Sequence, residues 1–134
     1  MQRPPTTTAA TRRIRIRAGQ VEATATLGAS PTAEAIWEAL PLQATANRWG
    51  EEIYFEIPVR CAAEPDARDV VQAGEIAYWP PGAAFCIFFG PTPASRGDEI
   101  RAASPVNVVG RIEGDPGVFA RVRGGTRISL QRES

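Results

Sequence analysis

The chain has 134 residues, 15 basic and 15 acidic side chains, and no histidine. That length suits one domain with its own core, and the balanced charge offers no field to hold a polyanion. Without histidine, neither a Ser/His/Asp nor a Cys/His nucleophile system can be assembled, and no imidazole can act as general base.

Two cysteines, Cys61 and Cys86, cannot complete a four-ligand zinc site, so neither a metal nor a cofactor is expected. No run has the length of a signal-peptide core or of a membrane span. The expectation is a cytoplasmic protein with reduced cysteines and no nucleic-acid or membrane partner.

Residues 1–11, rich in Thr, Pro and Ala, are predicted to be a disordered N-terminal tail, and residues 12–134 a single domain. Residues 13–17 alternate Arg and Ile, and residues 21–27 alternate again with Val21, Ala23, Ala25 and Leu27 on one face; this predicts a hairpin turning at Gly19. Ser30-Pro31 starts a helix, with the serine oxygen as cap and proline where no amide is needed. Ala33, Ile36, Trp37 and Leu40 form its apolar stripe, and Pro41 ends it. Period two returns over residues 43–49 and 51–57, reversing at Gly50, with Ile53, Phe55 and Ile57 opposite Glu52, Tyr54 and Glu56.

Residues 60–72 lack a clean period and are predicted to be a surface connection with a short helical turn near Asp69. Residues 75–79 and 84–89 flank Pro80-Pro81-Gly82, a turn in which Gly82 can take positive φ. The strand over residues 85–89 is apolar on both sides and therefore predicts cover on both. Residues 90–103 are predicted to be a long loop, after which Val106, Val108 and Ile112 are expected on one side of a strand. A helical turn over residues 117–122 and a last strand over 126–131, with Ile128 and Leu130 inward, complete the chain. The count is eight strands with one or two short helices, a mainly β chain for which a closed barrel manages the edges best and an open sandwich is the alternative.

Several longer motifs carry a resemblance: residues 44–55 (ATANRWGEEIYF), Tyr78-Trp79-Pro80-Pro81-Gly82, residues 86–93 (CIFFGPTP) and Val106-Asn107-Val108-Val109-Gly110. Together they resemble the small prokaryotic cyclophilin-like proteins of unassigned function, over a stretch from Pro31 to about Gly110. The resemblance implies a closed eight-stranded cyclophilin-like barrel capped by one or two short helices, with no settled activity. True cyclophilins carry a Phe-His-Arg strand motif and a Gln-Gly-Gly-Asp motif at the proline pocket. Both are missing here, which argues against peptidyl-prolyl isomerisation.

Aromatic walls with a few polar groups make ligand sites, and Trp49, Tyr54, Tyr78, Trp79, Phe85, Phe88 and Phe89 supply aromatic density. Core packing is the plainer account of the phenylalanines. The candidate ligand-binding set is Arg48, Trp49, Glu52, Tyr54, Tyr78, Trp79, Thr92, Ser95 and Arg96, with Tyr54 and Trp79 at its centre. Glu51 and Glu52 point to opposite faces of a strand and cannot form a facing pair; solvated surface charge is the simpler reading of both. Cys86 in an apolar strand reads as an inert thiol. Thr92, Ser95 and Arg96 offer anion or carbonyl contacts, against ordinary loop solvation. Arg13, Arg15 and Arg17, joined by Arg127 if the last strand pairs with the first, would form a basic stripe or simply a solvated strand. Arg96-Gly97-Asp98 spells an adhesion tripeptide that recurs by chance.

The leading expectation is a domain that binds a small molecule or an extended peptide without strong catalysis. The alternatives are a peptidyl-prolyl isomerase in which Arg48 or Arg96 polarises the imide, and an interaction subunit of an enzyme complex, with a homodimer left open.

Overall fold

The computed structural model describes residues 12–133; the predicted tail over 1–11 lies outside the described residues. The chain is mainly β. Its strands are β1 (Arg12–Ala18), β2 (Val21–Leu27), β3 (Leu42–Thr45), β4 (Asn47–Arg48), β5 (Glu52–Glu56), β6 (Arg68–Val71), β7 (Glu75–Trp79), β8 (Ala84–Phe88), β9 (Ile100–Ile112) and β10 (Arg127–Arg132). One α-helix, α1 (Pro31–Ala39), and two 3-10 turns, Pro80–Gly82 and Pro116–Arg121, accompany them.

Antiparallel pairing runs in the order β3-β10-β1-β2-β9-β7-β8-β5-β4, with β6 attached to β9 off that path. The first and last strands of the path are separated in sequence only by Ala46, which pairs with Thr126 and Gly125 through backbone bonds of 2.8 Å. No ladder among the described residues joins β3 to β4, so hydrogen bonding does not close the sheet, and ten strands stand where eight were expected.

The local signals act as expected at several points. Gly19 (φ +61°) turns the β1–β2 hairpin and Gly50 (φ +62°) the β4–β5 hairpin. Ser30 caps α1 by accepting from the Ala33 amide at 3.2 Å, and the helix buries Ala33 and Ile36 in the main core. That core fills the inner face with Ile14, Ile16, Leu27, Ile128 and Leu130, and with Phe55 stacked on Phe85 at 5.4 Å. Among the described residues, no helix is long and apolar enough to cross a membrane.

Four local expectations need correction. Residues 68–71 form strand β6 rather than a helical turn, pairing Val71 with Ile100 and Val70 with Arg101. The loop after β8 is shorter than expected, because β9 begins at Ile100. Val106 and Val108 pack on the opposite side of the sheet from Ile112. The cause is a register shift: Ile76 faces Gly110 while Ala77 faces Val108, which leaves Val109 as an extra residue that reverses the alternation. In the β7–β8 turn the positive φ belongs to Ala83 (+49°), and Gly82 serves instead to admit the Trp79 ring, whose Cζ3 would lie 2.7 Å from a Cβ at that position.

The long strand β9 belongs to two layers. Its later half lies in the main sheet between β2 and β7, whereas its first half leaves that sheet to pair with β6. Between the Val70–Arg101 and Arg68–Val106 pairings, β9 advances five positions while β6 covers only two. This excursion lays Ile100, Ala102 and Val106, with Val71 of β6, over Ala77, Ala84, Cys86 and Phe88 on the outer face of β7 and β8. A second apolar cluster results, and the double cover expected for residues 85–89 is accounted for.

Candidate functional site

Strand parity decides which side chains reach the outer face. On β5, Ile53 and Phe55 enter the main core, so Glu52 and Tyr54 take the other side. Across the ladder Tyr54 faces Cys86 and Glu52 faces Phe88. Where the cover from β9 ends, these side chains line a cavity of about 290 Å3. Trp49, Glu52 and Tyr54 form one wall, with Trp79 and Cys86 from the β7–β8 hairpin beside them; Ala102, Ala103 and Val106 of β9 supply the other. The Trp79 indole N–H donates to Ser104 Oγ at 2.7 Å, fixing the ring against β9.

Glu52 is the unusual member of this set. It is only 5% exposed, and its Oε1 is buried without a hydrogen-bond partner. Burial pushes its carboxyl up to about 7 from an ordinary value of 4.5, an effect partly offset by hydrogen bonding from the Cys86 thiol. That thiol is a weak partner, because the Ala84 carbonyl oxygen, 3.8 Å from the sulfur, competes for its single proton. Burial also drives Cys86 well above the usual thiol range, with the Glu52 charge adding to the effect, so the sulfur is held protonated and unreactive. The expectation of solvated charge therefore fits Glu51, which is exposed, and is wrong for Glu52.

Four of the nine candidate residues meet in this cavity: Trp49, Glu52, Tyr54 and Trp79. Tyr78 does not. Its neighbour Trp79 faces outward, so Tyr78 faces inward, 1% exposed in the main core, where its hydroxyl donates to Val59 O at 2.6 Å and accepts from Cys61 N at 3.1 Å. Arg48 is committed elsewhere: it donates to the carbonyls of Gly50, Ala120 and Val122 and lies 5.0 Å over the Phe89 ring. Thr92 and Ser95 shape their own loop. The Thr92 hydroxyl donates to Arg101 O and accepts from Ala94 N, while Ser95 Oγ accepts from Thr92 N. Arg96 is exposed, and its backbone amide, with that of Gly97, is taken by the Glu99 carboxylate, which these bonds hold down at about 2.

Three arginines of the basic stripe are neutralised: Arg13 pairs with Glu113 and Arg15 with Glu133 at 2.9 and 2.8 Å, and Arg17 pairs with Glu22. Arg127 donates instead to the neutral Gln43 side chain. Sequence reading missed Ala102, Ala103 and Val106 as a group because the stretch leading to them was assigned to loop. No group of side chains suited to hold a metal ion occurs among the described residues.

The profile of the family described as Cyclophilin-like matches residues 12–131, nearly the whole of the described chain. The chain belongs to the Cyclophilin-like family. It is also similar to the hypothetical protein AF2241 from Archaeoglobus fulgidus, known from a solution structure. The two share 43% sequence identity over 92% of this chain and 96% of that one, with a TM-score of 0.78. A search of curated proteins returned no match.

Proposed function

We propose that this cyclophilin-like domain is a binding module that takes a small organic molecule, or one side chain of an extended peptide, into the outer cavity. The observation that carries the reading is the cavity itself, walled by Trp49, Tyr54 and Trp79 around one buried carboxyl whose Oε1 has no partner among the described residues. At about 290 Å3 it stands at the small end of pockets that hold organic ligands. Apolar walls with few polar groups bury a ligand by the hydrophobic effect and leave the polar group to fix its orientation.

The isomerase alternative relied on a guanidinium beside the twisting imide, and neither Arg48 nor Arg96 lines the cavity. A docking subunit would offer a broad apolar surface, yet Val70 is the one exposed large hydrophobic side chain among the described residues.

The test is native mass spectrometry of the protein freshly isolated from its own host, beside the double variant Tyr54→Ala, Trp79→Ala. Wild type should retain a small-molecule adduct that the folded variant loses. An unchanged set of adducts in the folded variant would show that the binding site is elsewhere.

A further inference from the structure

The outer cavity contains a buried carboxyl whose Oε1 has no partner among the described residues, the Cys86 thiol being the one weak donor to the group. Resting on the reading of this cavity as a ligand site, we infer that its ligand is a small organic cation, whose ammonium or amidinium group pairs with Glu52 while its apolar remainder lies between Trp49, Tyr54 and Trp79.

Four observations carry this. First, Glu52 is 5% exposed and its Oε1 lacks a partner, so the site is short of one hydrogen-bond donor. A positively charged donor stabilises more than a neutral one, since charge-assisted bonds are roughly twice as strong.

Second, among the described residues no internal cation competes for the position. The cationic groups on the neighbouring elements are committed, Arg48 to three backbone carbonyls and Arg101 to Asp69 and Glu99. Third, the walls suit positive charge. Two indoles and a phenol attract cations through their ring faces, and the Trp79 N–H, already donated to Ser104, cannot serve as an anion donor. Fourth, no second carboxylate lines the cavity. Besides its aromatic walls it holds the Cys86 thiol of β8, kept protonated by burial, and Ala102, Ala103 and Val106 of β9.

The pairing has a definite pH sign. Burial holds the free carboxyl protonated up to about pH 7, and only the carboxylate pairs with a cation. Affinity therefore rises with pH through that value, and below it each binding event releases one proton to solvent. For a group titrating near 7, affinity should grow roughly thirtyfold between about pH 5.5 and about pH 8.5.

The experiment uses benzylamine, a cation throughout this range, and benzyl alcohol, its neutral counterpart of similar shape. Both are titrated into the full chain while the Trp79 indole N–H resonance is followed by NMR. Benzylamine should bind at least about tenfold more tightly than benzyl alcohol at the higher pH, with the preference fading at the lower. Glu52→Gln should abolish the preference and its pH dependence while benzyl alcohol still binds. Equal binding of the two probes at the higher pH, or a preference that survives in Glu52→Gln, overturns the cation inference but leaves the cavity as a binding site. If neither probe moves the Trp79 resonance, the binding-site reading falls as well. The pH series on wild type decides the matter even if the variant does not fold.

Discussion

Replacing Glu52 by Gln should make the folded protein more resistant to denaturation at neutral and alkaline pH, in a way that depends on pH with a fixed sign. In the fold the carboxyl is raised to about 7, against 4.5 in its ordinary state. Below about pH 4.5 both folded and unfolded chains hold the proton, and the residue makes no pH-dependent contribution. Between 4.5 and about 7 the unfolded chain releases the proton first, so wild type loses stability as pH rises, and above that range the loss is complete. At about 1.4 kcal/mol per pH unit the loss amounts to roughly 3 kcal/mol. Glutamine has no such titration. Acidic groups whose values are lowered in the fold, such as Glu113 beside Arg13, act in the more acid range and are common to both proteins, so they cancel in the difference. The assay is guanidinium denaturation followed by tryptophan fluorescence at several pH values. The midpoint difference between variant and wild type should widen by about 1 M from acid to alkaline pH. Parallel profiles would mean that Glu52 ionises like a solvated carboxyl, and the argument from its burial would fail.

Tyr78→Phe keeps the ring in the core but removes the hydroxyl that joins Val59 O to Cys61 N. It should cost about 1–3 kcal/mol in chemical denaturation, because two backbone groups lose their partner, and probe binding in the outer cavity should be unchanged. Gly110→Ala should be more damaging, at about 3 kcal/mol or more, since a Cβ there would overlap the Thr26 carbonyl oxygen in the neighbouring strand, and backbone cannot swing aside. Thermal melting of that variant gives the check, and a melting temperature equal to wild type would contradict the close β2–β9 approach.

Much of the frame was legible because its signals are local. The alternation of β1 and β2, the Ser30 cap and the uniformly apolar β8 each state their own environment within a few residues. The misplaced features share a different origin. Glu52-Ile53-Tyr54-Phe55-Glu56 has the pattern of a half-solvated strand, and nothing within it reports the cover that the distant strand β9 brings. Strand β6, with charged residues at two of its four positions, is too short for any period to emerge. The extra residue at Val109 defeats a strict period-two reading of β9. Tyr78 was recoverable from parity alone: adjacent residues of one strand face opposite ways, so Tyr78 and Trp79 cannot both line a single cavity.

The excursion of β9 explains why this outer face can hold a site at all. A strand confined to the main sheet would leave Tyr54, Cys86 and Trp79 open to water, and Glu52 would be an ordinary surface acid. By leaving the sheet to pair with β6, β9 excludes solvent from β7 and β8, yet it stops short of β5, and the uncovered margin becomes the cavity. The same step that builds an apolar floor thus strands the Glu52 carboxyl beside it, where either a retained proton or a positively charged partner must offset the loss of hydration. Arg101 lies on that excursion but turns to Asp69 and Glu99, binding β9 to its own layer instead of neutralising Glu52. A carboxyl with no ion-pair partner among the described residues, while a guanidinium on the covering strand engages two other acids, fits the proposed role of counterion to a ligand better than it fits a structural charge.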